Sequence, residues 1–355
     1  MKKITLFLLF IVALSAKGQE VVNTGKLIQA GLEDGSKLVN AYVTPLNKAI
    51  VYGLSDVSYT KISKEQTHRL SLSVKLAAVS IPDEDLSFDV YDLNLQNLEP
   101  KDPDKHISPT VFGDSLAVIT LVSKQKDLLG RPLIEFDTPG GGQSSSLPLP
   151  YLSASYSMDY TNLNVDFIPY FTIPSSDLSI GLIGIAIQQD LGMFIKSLDE
   201  SPFGVSVQTG FSYLFGDADL HVEPDGIYSP VTPTGETTGP YDNQKFNIGY
   251  TSLNLGAYVD YDINEKFSVF AGAGYNLGGS SIELNGTYPV YTADPSGSGS
   301  VVAEDVDDPL DLSDSFSRSK FDIGARADFE RFFIQVNYNM ATYGGFGLNL
   351  GYKML

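Results

Sequence analysis

Hydrophobic and polar positions alternate along most of this chain. In the stretch KFDIGARADFERFFIQVNYNM, residues 320–340, Phe321, Ile323, Ala325, Ala327 and Phe329 take every second place, with Lys320, Asp322, Arg326, Asp328 and Glu330 between them. A tight turn at Glu330 and Arg331 follows. The pattern then resumes with Phe332, Ile334, Val336, Tyr338 and Met340 against Gln335, Asn337 and Asn339. A period of two is the mark of a strand with one apolar and one polar face. Residues 68–79 repeat it, with Leu70, Leu72, Val74 and Leu76 opposite Arg69, Ser71, Ser73 and Lys75. Further runs cover 151–160, 162–172, 177–189, 203–215, 246–262, 266–277, 279–290 and 345–354. Several exceed the roughly five or six residues usual for a soluble sheet.

The remaining segments read differently. From Asn23 to Ala49, Leu27, Ile28, Leu32, Leu38, Val39, Tyr42, Val43 and Leu46 recur at steps of three and four, predicting one or two short amphipathic helices interrupted near Gly35 and Pro45. This segment either caps the β domain or plugs it. Residues 80–147 are acidic and punctuated by proline, with short strands expected at 86–93, 110–122 and 131–136. Two insertions, 217–245 and 291–315, interrupt an otherwise tightly connected meander. Long connections at one end and short ones at the other are the asymmetry of an outer-membrane barrel.

Strand length and face chemistry choose between lipid and water as the outer solvent. Strands of about 9–11 residues tilted by about 45° just cross the hydrocarbon layer. The charges of both signs on the 320–330 face suit a lumen in which they pair, whereas at a lipid-facing midplane a lysine or arginine would cost about 2–4 kcal/mol. The expectation is an all-β fold: an antiparallel transmembrane barrel of about 12 strands (10–14) with a short N-terminal helical segment. The lumen-facing polar candidates are Asp322, Arg326, Asp328, Glu330, Gln335, Asn337 and Asn339. A water-facing β-sandwich, secreted or periplasmic, is the alternative reading of the same alternation.

Composition places the chain outside the cytoplasm. MKKITLFLLFIVALSAKGQ has two lysines, an apolar run from Ile4 to Leu14 and small residues at Ala16 and Gly18, which predicts a signal peptide over 1–18. The expected division is then 19–50 for the plug or cap and 51–355 for the barrel. Loss of Lys2, Lys3 and Lys17 takes the formal charge from −20 to about −23. Such an acidic chain is a poor binder of nucleic acid. There is no cysteine, so no disulfide and no lipidated N-terminal cysteine. The 20 Phe and 20 Tyr, with 33 glycines, favour strands over helices.

Three segments carry a resemblance: GIAIQQDLGMFIKSLDESPFGVSVQTGFSYLFG, YVDYDINEKFSVFAGAGYNLGGSSIELNGTY and KFDIGARADFERFFIQVNYNMATYGGFGLNLGY. They resemble an uncharacterised family of Bacteroidota outer-membrane β-barrel proteins, as does LVNAYVTPLNKAIVYGLSDVSY near the start. The resemblance implies an exported barrel, inserted into outer-membrane lipid by the barrel assembly machinery of a Gram-negative bacterium. An N-terminal helical segment ahead of a barrel of this size is also similar in architecture to the long-chain fatty-acid transporter family, where such a segment fills the lumen. The chain departs from the common aromatic C-terminus of outer-membrane barrels, ending in GYKML.

Catalytic chemistry is not expected. Of the three histidines, His68 opens a strand and His106 and His221 fall in loops, none with a nucleophile and orienting group in a triad pattern. No cofactor motif is present. The acidic run with Asp305, Asp307, Asp308 and Asp311 is a weak calcium candidate without EF-hand spacing. The functional expectation is a non-enzymatic channel or transporter for a small hydrophobic or amphiphilic ligand. The alternative is a structural or adhesive surface barrel acting through its acidic outer loops.

Overall fold

The computed structural model describes residues 31–62, 68–174, 177–199, 201–223, 232–294 and 298–354. The predicted signal peptide lies outside these residues. Ten strands close into an antiparallel barrel: β1 (Arg69–Ser80), β7 (Ser146–Met158), β8 (Thr161–Thr172), β9 (Leu178–Asp190), β10 (Phe203–Asp219), β11 (Lys245–Asp262), β12 (Phe267–Asn285), β15 (Leu310–Asp328), β16 (Phe332–Met340) and β17 (Gly345–Lys353). β1 pairs with both β7 and β17, closing the ring and removing the water-facing sandwich from consideration. Closure joins the first wall strand to the last, so the sheet has no terminal edge, the condition for a sheet to stand in lipid.

The count is ten, not about twelve. The runs 266–277 and 279–290 were expected as two strands, but Gly278 and Gly279 continue one ladder, facing Ser252 and Thr251 on β11 and Phe316 and Ser315 on β15. A Cβ at Gly278 would lie 2.2 Å from the Thr251 carbonyl oxygen and 2.5 Å from a Val51 methyl. The glycine that reads as a turn is a place where an internal helix presses on the wall. Past Asn285 the chain forms a separate hairpin of β13 (Thr287–Ala293) and β14 (Val301–Asp307). In place of the three short strands expected at 86–93, 110–122 and 131–136, this region holds five shorter ones, β2 (Ser87–Asp89), β3 (Leu98–Pro100), β4 (Ile107–Pro109), β5 (Thr120–Ser123) and β6 (Glu135–Asp137), all outside the barrel wall.

The pleat is inverted relative to a water-soluble sheet. Polar side chains such as Lys75, Asn164, Gln188, Asn276 and Lys320 are buried inside, while Leu72, Ile185, Leu255, Ile323 and Val336 are exposed outside. The exposed apolar residues recur on the wall strands and make a belt far larger than a soluble monomer carries. At one end the connections are short, as at 159–160, 263–266 and 329–331; at the other they include 81–145, 220–244 and 286–309. The end with these short turns is called the inner end here and the end with the long insertions the outer end, after the usual asymmetry of such barrels.

The helix α1 (Leu32–Gly53) is single and continuous, not broken near Gly35 or Pro45. Gly35 lies in the first turn and still donates to the Gly31 carbonyl at 2.9 Å. Pro45 costs about 3 kcal/mol in a helix interior. Against this, Leu38, Val39, Tyr42, Val43, Ala49, Ile50 and Val51 are all buried, at roughly 1.5–3 kcal/mol for each of the larger side chains. Packing outweighs propensity. α1 sits inside the outer half of the barrel, where Phe246, Tyr250, Ile282 and Leu284 of the wall join its core. The chain then descends through the lumen from Leu54 to Ile62, so the wall begins at Arg69 rather than at 51.

Candidate functional site

The inner half of the lumen is a polar tube filled by residues 54–62, here called the thread. The thread forms no strand; wall side chains take the place of a ladder. Lys320 Nζ donates to the Ser55 carbonyl at 2.8 Å, Asn337 Nδ2 to that of Asp56 at 2.9 Å, Gln208 Nε2 to that of Ser58 at 3.0 Å and Gln335 Nε2 to that of Tyr59 at 2.9 Å. The Thr60 amide donates to Gln188 Oε1 at 3.1 Å. Each buried backbone group so met escapes a desolvation cost of about 1–3 kcal/mol.

Side chains of the thread are also held. Ser55 Oγ accepts from Asn276 Nδ2 at 2.6 Å, Ser58 Oγ accepts from Asn254 Nδ2 at 3.2 Å, and the Tyr59 hydroxyl donates to Asp260 Oδ1 at 3.0 Å. The Tyr59 ring stacks on Phe270 with centroids 4.2 Å apart. Asp56 forms an ion pair with Arg318, both side chains 4% exposed. Arg318 also donates to the Tyr52 carbonyl at 3.2 Å and stands over the Tyr52 ring. One guanidinium therefore joins β15, the end of α1 and the thread.

Of the predicted lumen-facing residues, Asp322, Arg326, Gln335, Asn337 and Asn339 are buried in the interior. Gln335 and Asn337 grip the thread directly. Asp322 accepts from the Tyr258 hydroxyl at 3.2 Å and from Asn339 Nδ2 at 3.0 Å, and pairs with Lys320 at 3.3 Å. Arg326 stacks on Phe333 and binds Asp328 through Nε at 2.8 Å, and Lys353 reaches the same carboxylate at 2.6 Å. Glu330 departs from the expectation: it is exposed in the 329–331 turn, beyond the end of β15. There it borders a vestibule of about 530 Å³ at the inner end, whose roof is Thr60, Lys61 and Ile62.

The candidate list missed Arg318, Lys75, Gln188, Gln208, Asn254 and Asn276, together with Lys320. Lys75 and Gln208 stood on visible polar faces; alternation shows that a residue points inward but not which partner it meets. Lys75 is 1% exposed and pairs with Asp166 at 3.0 Å, a contact across two strand pairings. The side-chain oxygens of Gln208, Gln335, Asn337, Asn339 and Asn349 are also buried in the wall and accept from no protein group among the described residues.

The loop carboxylates serve structure. Asp305 accepts from the amides of Thr238 and Gly239 at 2.7 and 3.0 Å and from the Tyr241 hydroxyl at 2.7 Å. Desolvation pushes its carboxyl up, but the Tyr241 hydroxyl and these amides outweigh it and hold it below the usual carboxylate range. Asp307 accepts from Thr287 Oγ1 and Asp308 from the Gly286 amide, each at 2.8 Å, and Asp311 faces Glu283 across the ladder. Among the described residues no three acidic or imidazole groups converge to hold a metal. His68 contacts the Tyr156 hydroxyl at 3.1 Å and His106 contacts Asp89 at 2.9 Å.

A family model described as a family of unknown function, DUF6588, matches residues 1–354. The chain belongs to this family. No curated protein matches it. Among solved structures, it is similar to the attachment invasion locus protein Ail of Yersinia pestis at 9% identity, over 81% of this chain and 100% of that one, with a TM-score of 0.28. The outer-membrane protease OmpT of Escherichia coli is 8% identical over 84% of this chain and 97% of its own, with a TM-score of 0.29. The Pseudomonas putida toluene transporter TodX is 8% identical over 83% of this chain and 70% of its own, with a TM-score of 0.27. The DUF6588 chain takes its functional reading from its own lumen.

Proposed function

We propose that the protein is a non-enzymatic outer-membrane channel that its own N-terminal segment holds shut. The observation that carries this is how the thread is bound: the Gln208, Gln335 and Asn337 side-chain amides and the Lys320 ammonium grasp its main chain, polar groups that water can also satisfy. A permanently solid barrel could be packed with apolar side chains at these positions, with no buried polar group to satisfy. A lumen that fills with water when the thread moves needs them polar. The path is apolar around α1 in the outer half and polar in the inner half, which fits a small amphiphilic cargo better than a purely hydrophobic one.

Conductance in planar bilayers tests this reading. The wild-type barrel should be mostly closed with rare openings, and Arg318→Ala, which frees Asp56 and the end of α1, should open more often. Absence of conductance in both proteins, each shown to be a heat-modifiable barrel, would favour a structural role instead.

A further inference from the structure

Among the described residues, the neighbouring wall strands β7 and β8 part toward the outer end. β7 and β8 are thirteen and twelve residues long, yet they pair only from Leu152–Phe167 to Met158–Thr161. Toward the outer end, β7 stays paired with β1 as far as Ser146 and β8 stays with β9, through an irregularity between Ile168 and Phe171. The result is a seam between residues 146–151 of β7 and 168–172 of β8.

The seam lies at the height of the lipid-facing belt. Pro150 and Pro148 stand level with Leu76 and Ala78 of β1, which in turn face Leu348 and Phe346 of β17. Phe346 is among the most exposed large side chains of the wall, at 68%. On the other flank, Tyr170 stacks on Phe215 and donates its hydroxyl to Asp217, marking the interfacial level at the top of the seam. The back of the seam is apolar: Leu147, Leu149 and Tyr151 are buried in the same cluster as Leu182, with Ile168 packed against it.

The backbone of the β7 edge is one-sided. Leu152 is the last β7 residue to pair with β8, and backbone groups alternate in direction along a strand, so those of residues 150 and 148 also turn toward the seam. Both are proline. At these two positions the edge therefore offers carbonyl acceptors and no N–H donors, while the Ser146 N–H donates to Ser144 Oγ at 3.4 Å, consistent with an unbroken ladder to β1 on the opposite side. An added strand from another protein needs donors as well as acceptors and is disfavoured. Pure hydrocarbon is also a poor occupant, because an unmet carbonyl in lipid costs several kcal/mol.

We propose that the seam seats an outer-leaflet amphiphile carrying amide N–H or hydroxyl donors at the base of its acyl chain. The donors meet the Pro148 and Pro150 carbonyls at the mouth of the seam, and the acyl chain runs down the outer face over Leu152 and Phe167, where the ladder has closed. The site is independent of the thread, and it stands or falls apart from the channel reading.

A matched lipid pair tests the proposal. Sphingomyelin and phosphatidylcholine of equal chain length share a headgroup, but only the first has an amide and a hydroxyl donor near the interface. Native mass spectrometry of the delipidated full-length barrel should show one sphingomyelin retained, with about tenfold preference or more if two hydrogen bonds distinguish the lipids. Pro148→Val with Pro150→Val restores two N–H groups and should abolish the preference. A belt variant far from the seam, Val336→Ala, should keep it. As a measurement that does not depend on the double variant folding, sphingomyelin with a photoreactive acyl chain should cross-link to the wild-type wall around Pro150, Leu152, Phe167 and Tyr170. Equal retention of the two lipids, or cross-links spread evenly around the belt, would overturn the proposal.

Discussion

Arg318 shows how much of the closed state rests on single side chains. Its guanidinium meets the Asp56 carboxylate, the carbonyls of Tyr52, Thr342 and Tyr343, and the Asn276 side-chain oxygen. Removing one partner of a buried ion pair costs about 3–5 kcal/mol because the other charge remains desolvated. Arg318→Ala should therefore lower the unfolding temperature clearly, and the double variant with Asp56→Ala should recover part of the loss, as a thermal melt in detergent would show. Asp305 gives a pH prediction. Its carboxyl is held below its usual value in the folded protein, so it stabilises the docked 234–241 loop fully above about pH 4 and loses that contribution as pH falls through the lowered value. Limited proteolysis should find the loop protected at pH 7 and cut faster near pH 3, with Asp305→Asn cut fast at both. At this scale the sequence showed that Asp322, Gln335 and Asn337 face inward, because period two is local. It did not show Arg318 as the central cation, because its partner Asp56 lies 262 residues away along the chain.

Among the elements, α1 is the one whose form was least legible. Helical spacing was visible over part of 23–49, but glycine and proline propensities predicted breaks that burial overrides. Its anchoring was invisible, since nothing in the spacing of apolar residues singles out Asp34. That carboxylate is 1% exposed and accepts from the amides of Gln96, Asn97 and Leu98 at 2.7, 2.7 and 3.1 Å, fastening α1 to the 81–145 insert. Asp34→Ala leaves three amides unmet at about 1–3 kcal/mol each if they stay buried. The insert should then become protease-sensitive while the barrel keeps its heat-modifiable mobility on gels. The wall strands themselves were largely legible. The exception at Gly278 and Gly279 has a physical origin: glycine marks both turns and close approaches, and the sequence alone does not distinguish them.

For the whole molecule, the inverted pleat decides the environment, and it was readable because lipid requires long strands with a steady apolar face. The absence of cysteine makes the topology directly measurable. On intact cells, a membrane-impermeant maleimide should label Glu33→Cys at the start of α1 and fail to label Lys266→Cys in the 263–266 turn. The reverse pattern would invert the orientation. What no local pattern revealed is that the chain crosses the lumen between the helix and the first strand, because the thread has neither period two nor period 3.6.

The central claim is that the thread is the gate. Its most direct test joins Ser58→Cys on the thread to Asn254→Cys on the wall with a short reducible bis-thiol cross-linker and follows solute flux in liposomes. The account predicts that cross-linking abolishes flux and that reduction restores it. Flux that is indifferent to the cross-link would contradict it, placing any path outside the lumen that residues 54–62 fill.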